Sequence, residues 1–137
     1  FKKVKTNIDS GTATFIQDGA IAALSDETHV EKMRAEYRIK RDLLVDAFKD
    51  IKLPDCTPEA TIYLWQKVPA GMTSVDFARK LLSPDIAIVT TPGAWISDKT
   101  DSGLNPGEGY VRFALVPSIK DTREAARRIK KILPKVL

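Results

Sequence analysis

The chain is expected to fold as an α/β protein, a small two-layer sandwich of element order ααβαββα with a mixed sheet packed against helices. Four segments repeat apolar residues at three and four, the period of an amphipathic helix. Three short runs, 61–68, 86–90 and 109–116, are rich in β-branched, aromatic and aliphatic residues and read as strands. A strand, a helix and a strand follow one another within about thirty residues, which is a βαβ unit, expected right-handed with parallel strands.

Taken in order, residues 12–24 are alanine-rich, with Phe15, Ile16, Ala20, Ala23 and Leu24 on one stripe. So many small residues suit close packing, which makes Gly19 tolerable at about 1 kcal/mol relative to alanine. A second helix begins near Ser25 to Thr28, where Thr28 and Glu31 fit a capping box, and runs to about Asp50. Its inward side is expected to carry Val30, Met33, Tyr37, Leu44, Ala47, Phe48 and Ile51. Glu31, Lys32, Arg34, Glu36, Arg38, Lys40 and Arg41 take the remaining, outer faces.

Pro54, Asp55, Thr57 and Pro58 break that pattern before the first strand. Pro69-Ala70-Gly71 then turns the chain, and Thr73 or Ser74 caps a short helix through Leu82. The second strand is 86–90, and the third joins the same sheet after a polar loop from Ser97 to Pro106. Ser118, with Asp121 three residues on, caps a terminal helix whose stripe is Ile119, Thr122, Ala126, Ile129, Leu133 and Val136.

At 137 residues the chain has the size of one domain, and 43% hydrophobic with 29% charged residues is ordinary globular composition. No apolar run approaches the roughly 20 residues that cross a bilayer, and no secretory leader is visible. A single cysteine, Cys56, excludes an internal disulfide framework and suits a reducing cytoplasm. With one histidine, His29, it also leaves no zinc-type ligand set. The net charge of +4 is concentrated in Lys2–Lys5 and Arg123–Lys135. The second cluster interleaves with apolar residues at helical spacing, so it is a solvated helix face rather than a nucleic-acid stripe. The opening run Phe1-Lys2-Lys3-Val4-Lys5 resembles the tail of an element already under way, so a piece of a longer protein is expected.

The residue that points to function is Arg112, set in Tyr110-Val111-Arg112-Phe113-Ala114-Leu115-Val116. Its apolar neighbours predict a place well inside the fold. A guanidinium cannot shed its charge, and its planar fork grips a carboxylate or phosphate through two parallel hydrogen bonds. Left unpaired in the interior it would cost several kcal/mol, so some anion must meet it. Two kinds of anion are open: a local Asp or Glu, or a ligand. A strand arginine can also carry its head to solvent on its methylene stem.

Five stretches bear on that choice. They are Gln17-Asp18-Gly19-Ala20 with Ala22-Ala23-Leu24; Pro58-Glu59-Ala60-Thr61-Ile62-Tyr63-Leu64-Trp65; Phe77-Ala78-Arg79-Lys80-Leu81-Leu82; Val89-Thr90-Thr91-Pro92-Gly93; and Gly107-Glu108-Gly109-Tyr110-Val111-Arg112-Phe113. In register, they resemble the C-terminal third of the class I/II aminotransferases, pyridoxal-phosphate enzymes of fold type I.

The resemblance implies a fold and a division. Residues 1–30 would end the large domain and form the connecting helix, and 31–137 would be the small domain. It implies that Arg112 binds the substrate α-carboxylate, that Tyr63 lines the substrate cavity and that Trp95 stands at its mouth. Ser10 would reach towards the cofactor phosphate in the neighbouring subunit of a homodimer. The lysine that bonds the cofactor aldehyde and the acid facing the pyridine nitrogen would lie upstream. The fragment alone is therefore expected to hold no pyridoxal phosphate and to be inactive, with no catalytic residue of its own and no metal. Substrates would be an amino acid and a 2-oxo acid, with no nucleic-acid or membrane partner.

One departure stands out: Trp95-Ile96-Ser97 and a longer loop replace the Phe-Gly that commonly follows Pro-Gly in the family. The wording from Tyr110 to Pro117 is most similar to enzymes acting on succinyl-diaminopimelate or aspartate-like substrates. The alternative is an autonomous small α/β domain, carboxylate-binding or regulatory, that captures a ligand through Arg112.

Overall fold

The computed structural model describes residues 1–8 and 11–137, which form two units, Phe1–Ala35 and Glu36–Leu137. The first unit holds α1 (Lys2–Ile8), α2 (Thr14–Leu24) and the opening of α3 (Thr28–Asp50). No residue of α1 or α2 is buried, and Phe15, Ile21 and Leu24 stand exposed. The start of α3 differs from the expected capping box. Asp26 supplies the cap, its Oδ1 accepting from the Thr28 N–H at 2.9 Å. That bonding with Thr28 lowers the Asp26 pKa, as accepted hydrogen bonds stabilise a carboxylate.

The second unit contains the rest of α3, then β1 (Tyr63–Lys67), α4 (Ser74–Leu81), β2 (Thr91–Pro92), β3 (Tyr110–Ala114) and α5 (Ile119–Lys131). The α/β sandwich stands, with one departure in the sheet. Its strand order is β1-β3-β2 and both pairings are antiparallel. β1 and β2 run in the same direction, as the crossover through α4 requires, but β3 lies between them, so the sheet is not mixed.

The expected strand at 86–90 is absent, and β2 is confined to Thr91–Pro92. The cause lies in the backbone. Ala87 N–H donates to Ser83 at 2.7 Å and Ile88 N–H to Leu81 at 2.8 Å, so the end of α4 takes the groups a ladder would need. Ala87 adopts φ +51° in that turn. Pro92 then has no N–H to extend the ladder.

The core joins Leu44, Ala47 and Phe48 of α3 to Phe77 and Leu81 of α4, the inward residues of β1 and β3, and Ala126 and Ile129 of α5. Phe48 meets Phe113 edge to face, with ring centroids 5.0 Å apart. Lys40 is not on the outside of α3 but only 3% exposed. Helical spacing puts it between Tyr37 and Leu44 on the inward stripe. Its ammonium pairs with Glu36 at 2.5 Å and lies 5.0 Å from the Tyr37 ring centre, which makes the burial tolerable. Met33, expected inward, is exposed.

The two caps expected in this unit both form. Thr73 accepts from the Asp76 N–H and Ser118 from the Asp121 N–H, each at 3.1 Å. Each cap hydroxyl in turn donates to the Asp carboxylate at 2.7 Å. Ser118→Ala is expected to destabilise this unit by about 1 kcal/mol, read as a lower urea midpoint at unchanged slope.

Candidate functional site

The site grows from the pleat of β1 and β3. Leu64 and Gln66 of β1, and Val111 and Phe113 of β3, are buried against the helices. Alternation sends Tyr63, Trp65 and Lys67, with Tyr110, Arg112 and Ala114, to the opposite face. Arg112 is therefore half-buried on the open face of the sheet and not deep inside the fold. Its apolar neighbours in sequence belong half to the core and half to its own face.

Arg112 occupies the central strand, opposite Trp65 of β1 and Thr91 of β2. Its guanidinium carbon lies 4.4 Å from the centre of the Tyr63 ring, a cation–π contact. Its Nε is buried and has no hydrogen-bond partner. Among the described residues it forms no ion pair, whereas Lys40, Arg41, Arg79, Arg127, Arg128 and Lys130 do. The local-carboxylate reading of the sequence thus finds no partner among the described residues.

Trp95 follows β2 in a single turn of 3₁₀ helix, Gly93–Trp95, and is 71% exposed. With Val75, Ala78, Leu82 and Pro92 it walls a cavity of about 340 Å³ to which neither Arg112 nor Tyr63 contributes. The structure therefore brings Tyr63 to Arg112 but gives Trp95 a neighbouring setting of its own. Ser10 lies outside the described residues.

Sequence reasoning missed the clip that fixes Trp95. Ser97 Oγ donates to the Gly93 carbonyl at 2.8 Å, and Asn105 Nδ2 donates to Ala94 at 3.2 Å and to Ser97 at 3.3 Å. The Gly107 N–H reaches both Asn105 Oδ1 at 2.9 Å and Ser97 Oγ at 3.2 Å. The available signal was the pairing of Gly93 with Gly107 at the two mouths of one polar loop.

Two other titratable side chains, Cys56 and Glu124, are each held in one protonation state at neutral pH. Burial, aided by the Asp55 carboxylate, pushes the Cys56 thiol up to about 11, so it is protonated at neutral pH and no ready nucleophile. Hydrogen bonds from Arg127 and then Arg128 hold the exposed Glu124 carboxyl down at about 2. A second cavity of about 350 Å³, walled by α3, residues 87–89, residues 113–117 and α5, has Glu124 and Arg128 in its lining, and these are already paired with each other. Among the described residues no group of His, Cys, Asp or Glu could hold a metal ion. None of the described helices is long and apolar enough to cross a membrane.

An exposed sheet face with one aromatic-backed, anion-free arginine can bind a carboxylate. The LL-diaminopimelate aminotransferase of Aquifex aeolicus is 40% identical over 131 residues, 95% of this chain and 32% of its own. The crystal structure of an aminotransferase from Neisseria meningitidis superposes with a TM-score of 0.80 at 35% identity, over 92% of this chain and 31% of the other. An aromatic aminotransferase from Pyrococcus horikoshii gives 0.75 at 30% identity, over 90% and 32%. The chain thus spans about a third of the length of the curated relatives it matches. The family described as aminotransferase class I and II matches residues 1–129, and the chain belongs to it.

Proposed function

We propose that this chain is the C-terminal part of a pyridoxal-phosphate-dependent aminotransferase that moves an amino group between an amino acid and a 2-oxo acid. Residues 1–30 end the large domain and form the connecting helix, and 31–137 make the small domain. The complete enzyme is a cytoplasmic homodimer. The names of the relatives support a diaminopimelate-type donor ahead of an aspartate-like one.

The observation that carries the reading is Arg112, half-buried, without a carboxylate partner among the described residues and facing away from the core. It grips the donor's α-carboxylate through two parallel hydrogen bonds, which fixes the orientation of Cα. Tyr63, stacked against that guanidinium, borders the place of the substrate carboxylate, and Trp95, in its neighbouring setting, stands where the side chain of the donor enters. Pyridoxal phosphate, when bound, supplies the electron sink that lets the Cα–H bond break. No lysine of this chain, Lys67 on the same face included, sits in a context resembling the family's Schiff-base site. The groups that bond the cofactor are therefore placed upstream, with Ser10 as the one candidate here for a contact to the phosphate in the neighbouring subunit. The apolar side chains standing out from α2 also favour a larger enzyme over an autonomous domain, which would close its own surface.

The test is amino transfer by the complete protein, loaded with pyridoxal phosphate and given LL-diaminopimelate and a 2-oxo acid. Formation of the new amino acid, followed chromatographically, is expected. Residues 1–137 alone should give neither transfer nor the visible band of bound cofactor. A complete protein that transfers from no amino acid rejects the proposal.

A further inference from the structure

Resting on that reading of Arg112, we propose that Tyr63 is a positioning residue, which holds the guanidinium by its plane and leaves its hydrogen-bonding edge free for the substrate carboxylate. The argument concerns how a cation can be fixed without being used up. A protein carboxylate would hold an arginine by occupying the donors that a ligand needs. An aromatic face holds it through the ring quadrupole and takes no N–H at all.

The geometry here is of the second kind. Tyr63 is cross-strand partner to Ala114, and so diagonal to Arg112 on the same face. Alanine at that place leaves room for the ring to reach the guanidinium carbon at 4.4 Å. Nε is buried without a partner, so the stacked arrangement is not secured by any hydrogen bond at that atom. The entry to β1 is itself held. Thr61 adopts φ +89°, a conformation that a β-branched residue keeps only where its surroundings impose it. The carbonyl of the next residue, Ile62, accepts from Leu115 N–H at 2.9 Å. Tyr63 therefore starts from a fixed point, and its ring is a platform whose position the sheet determines.

The experiment is a double-mutant cycle in the complete, cofactor-loaded enzyme. Tyr63→Leu is expected to raise KM for the amino-acid donor about three- to thirty-fold, with a smaller change in kcat. The dissociation constant of propionate, a bare carboxylate measured by calorimetry, should rise by the same factor. Tyr63→Phe should recover the affinity that leucine loses, because the ring and not the hydroxyl does the holding. In an Arg112→Ala background Tyr63→Leu should add less than about a further twofold, as expected for two residues acting through one contact. Tyr63→Met replaces the leucine variant if that one does not fold. An equal loss with phenylalanine, or an undiminished loss in the Arg112→Ala background, overturns the positioning role and leaves the carboxylate grip standing. Arg112→Ala without effect on KM removes the grip itself, and the positioning role with it.

Discussion

Replacing Arg112 with alanine in the complete enzyme is expected to lower kcat/KM for the amino-acid donor by about 10- to 150-fold, the equivalent of losing about 1.5–3 kcal/mol of charge-assisted hydrogen bonding. The loss should fall mainly on KM, because a carboxylate that takes no part in bond breaking is bound alike in ground and transition states. Arg112→Lys should recover only part of it. An ammonium on that strand keeps the charge but offers point donors instead of a planar fork, and it stacks less well on Tyr63. Among the described residues the side chain has no ion pair to lose, and it sits on the open face. Folding stability should therefore barely change, which separates this site from a structural salt bridge. An unchanged KM and kcat/KM would remove the proposed role.

That Arg112 is a permanent charge set among apolar neighbours was legible in the sequence; where it sits was only half legible. A guanidinium among Tyr110, Val111, Phe113 and Ala114 announces a partner anion, since charge burial is costly whatever the fold. Its depth depends on strand alternation, which separates Val111 and Phe113 from Tyr110, Arg112 and Ala114 only once one face is known to be covered. Hydrophobic neighbours on both sides hide that choice, because Tyr110 and Trp65 on the open face are as apolar as the core residues. The same kind of ambiguity moved β2. Ile86 to Thr90 has strand composition, yet Ile86 is fully buried below a turn and the backbone there bonds to the end of α4. Competition for backbone N–H groups between a helix end and a strand is decided by tertiary geometry, which propensity does not contain. Local chemistry served better at the caps of α4 and α5, where one hydroxyl and one carboxylate three residues apart suffice. Lys40 shows the opposite failure. Its spacing placed it on the inward stripe of α3, and its charge argued against the spacing. A long apolar stem ending in a reachable carboxylate reconciles the two.

The second large effect is expected at Gly93, where space and not backbone freedom demands glycine. A Cβ there would stand 2.2 Å from the carbonyl oxygen of Gly107 and 2.6 Å from that of Tyr110. The converse substitution fares no better, since a Cβ on Gly107 would meet the Gly93 oxygen and Ser97 Oγ, each at 2.3 Å. The obstacles are mostly main-chain atoms, so no rotamer change relieves them. Separating the two strands of the loop would break the hydrogen bonds that Ser97 and Asn105 make across it. Gly93→Ala is therefore expected to destabilise the fold by about 3 kcal/mol or more, at the upper end of overpacking effects, measured by urea unfolding. Gly109→Ala is the control. Nothing lies within 4 Å of a Cβ at that position, so the change should stay within about 0.5 kcal/mol. Because Gly93 opens the turn that carries Trp95, any enzyme that still folds should also lose discrimination between donor side chains, while its response to Arg112→Ala stays as in the parent. Equal stability of the two alanine variants would mean that the close approach of Gly93 and Gly107 is not held in solution, and the clip around Trp95 would go with it.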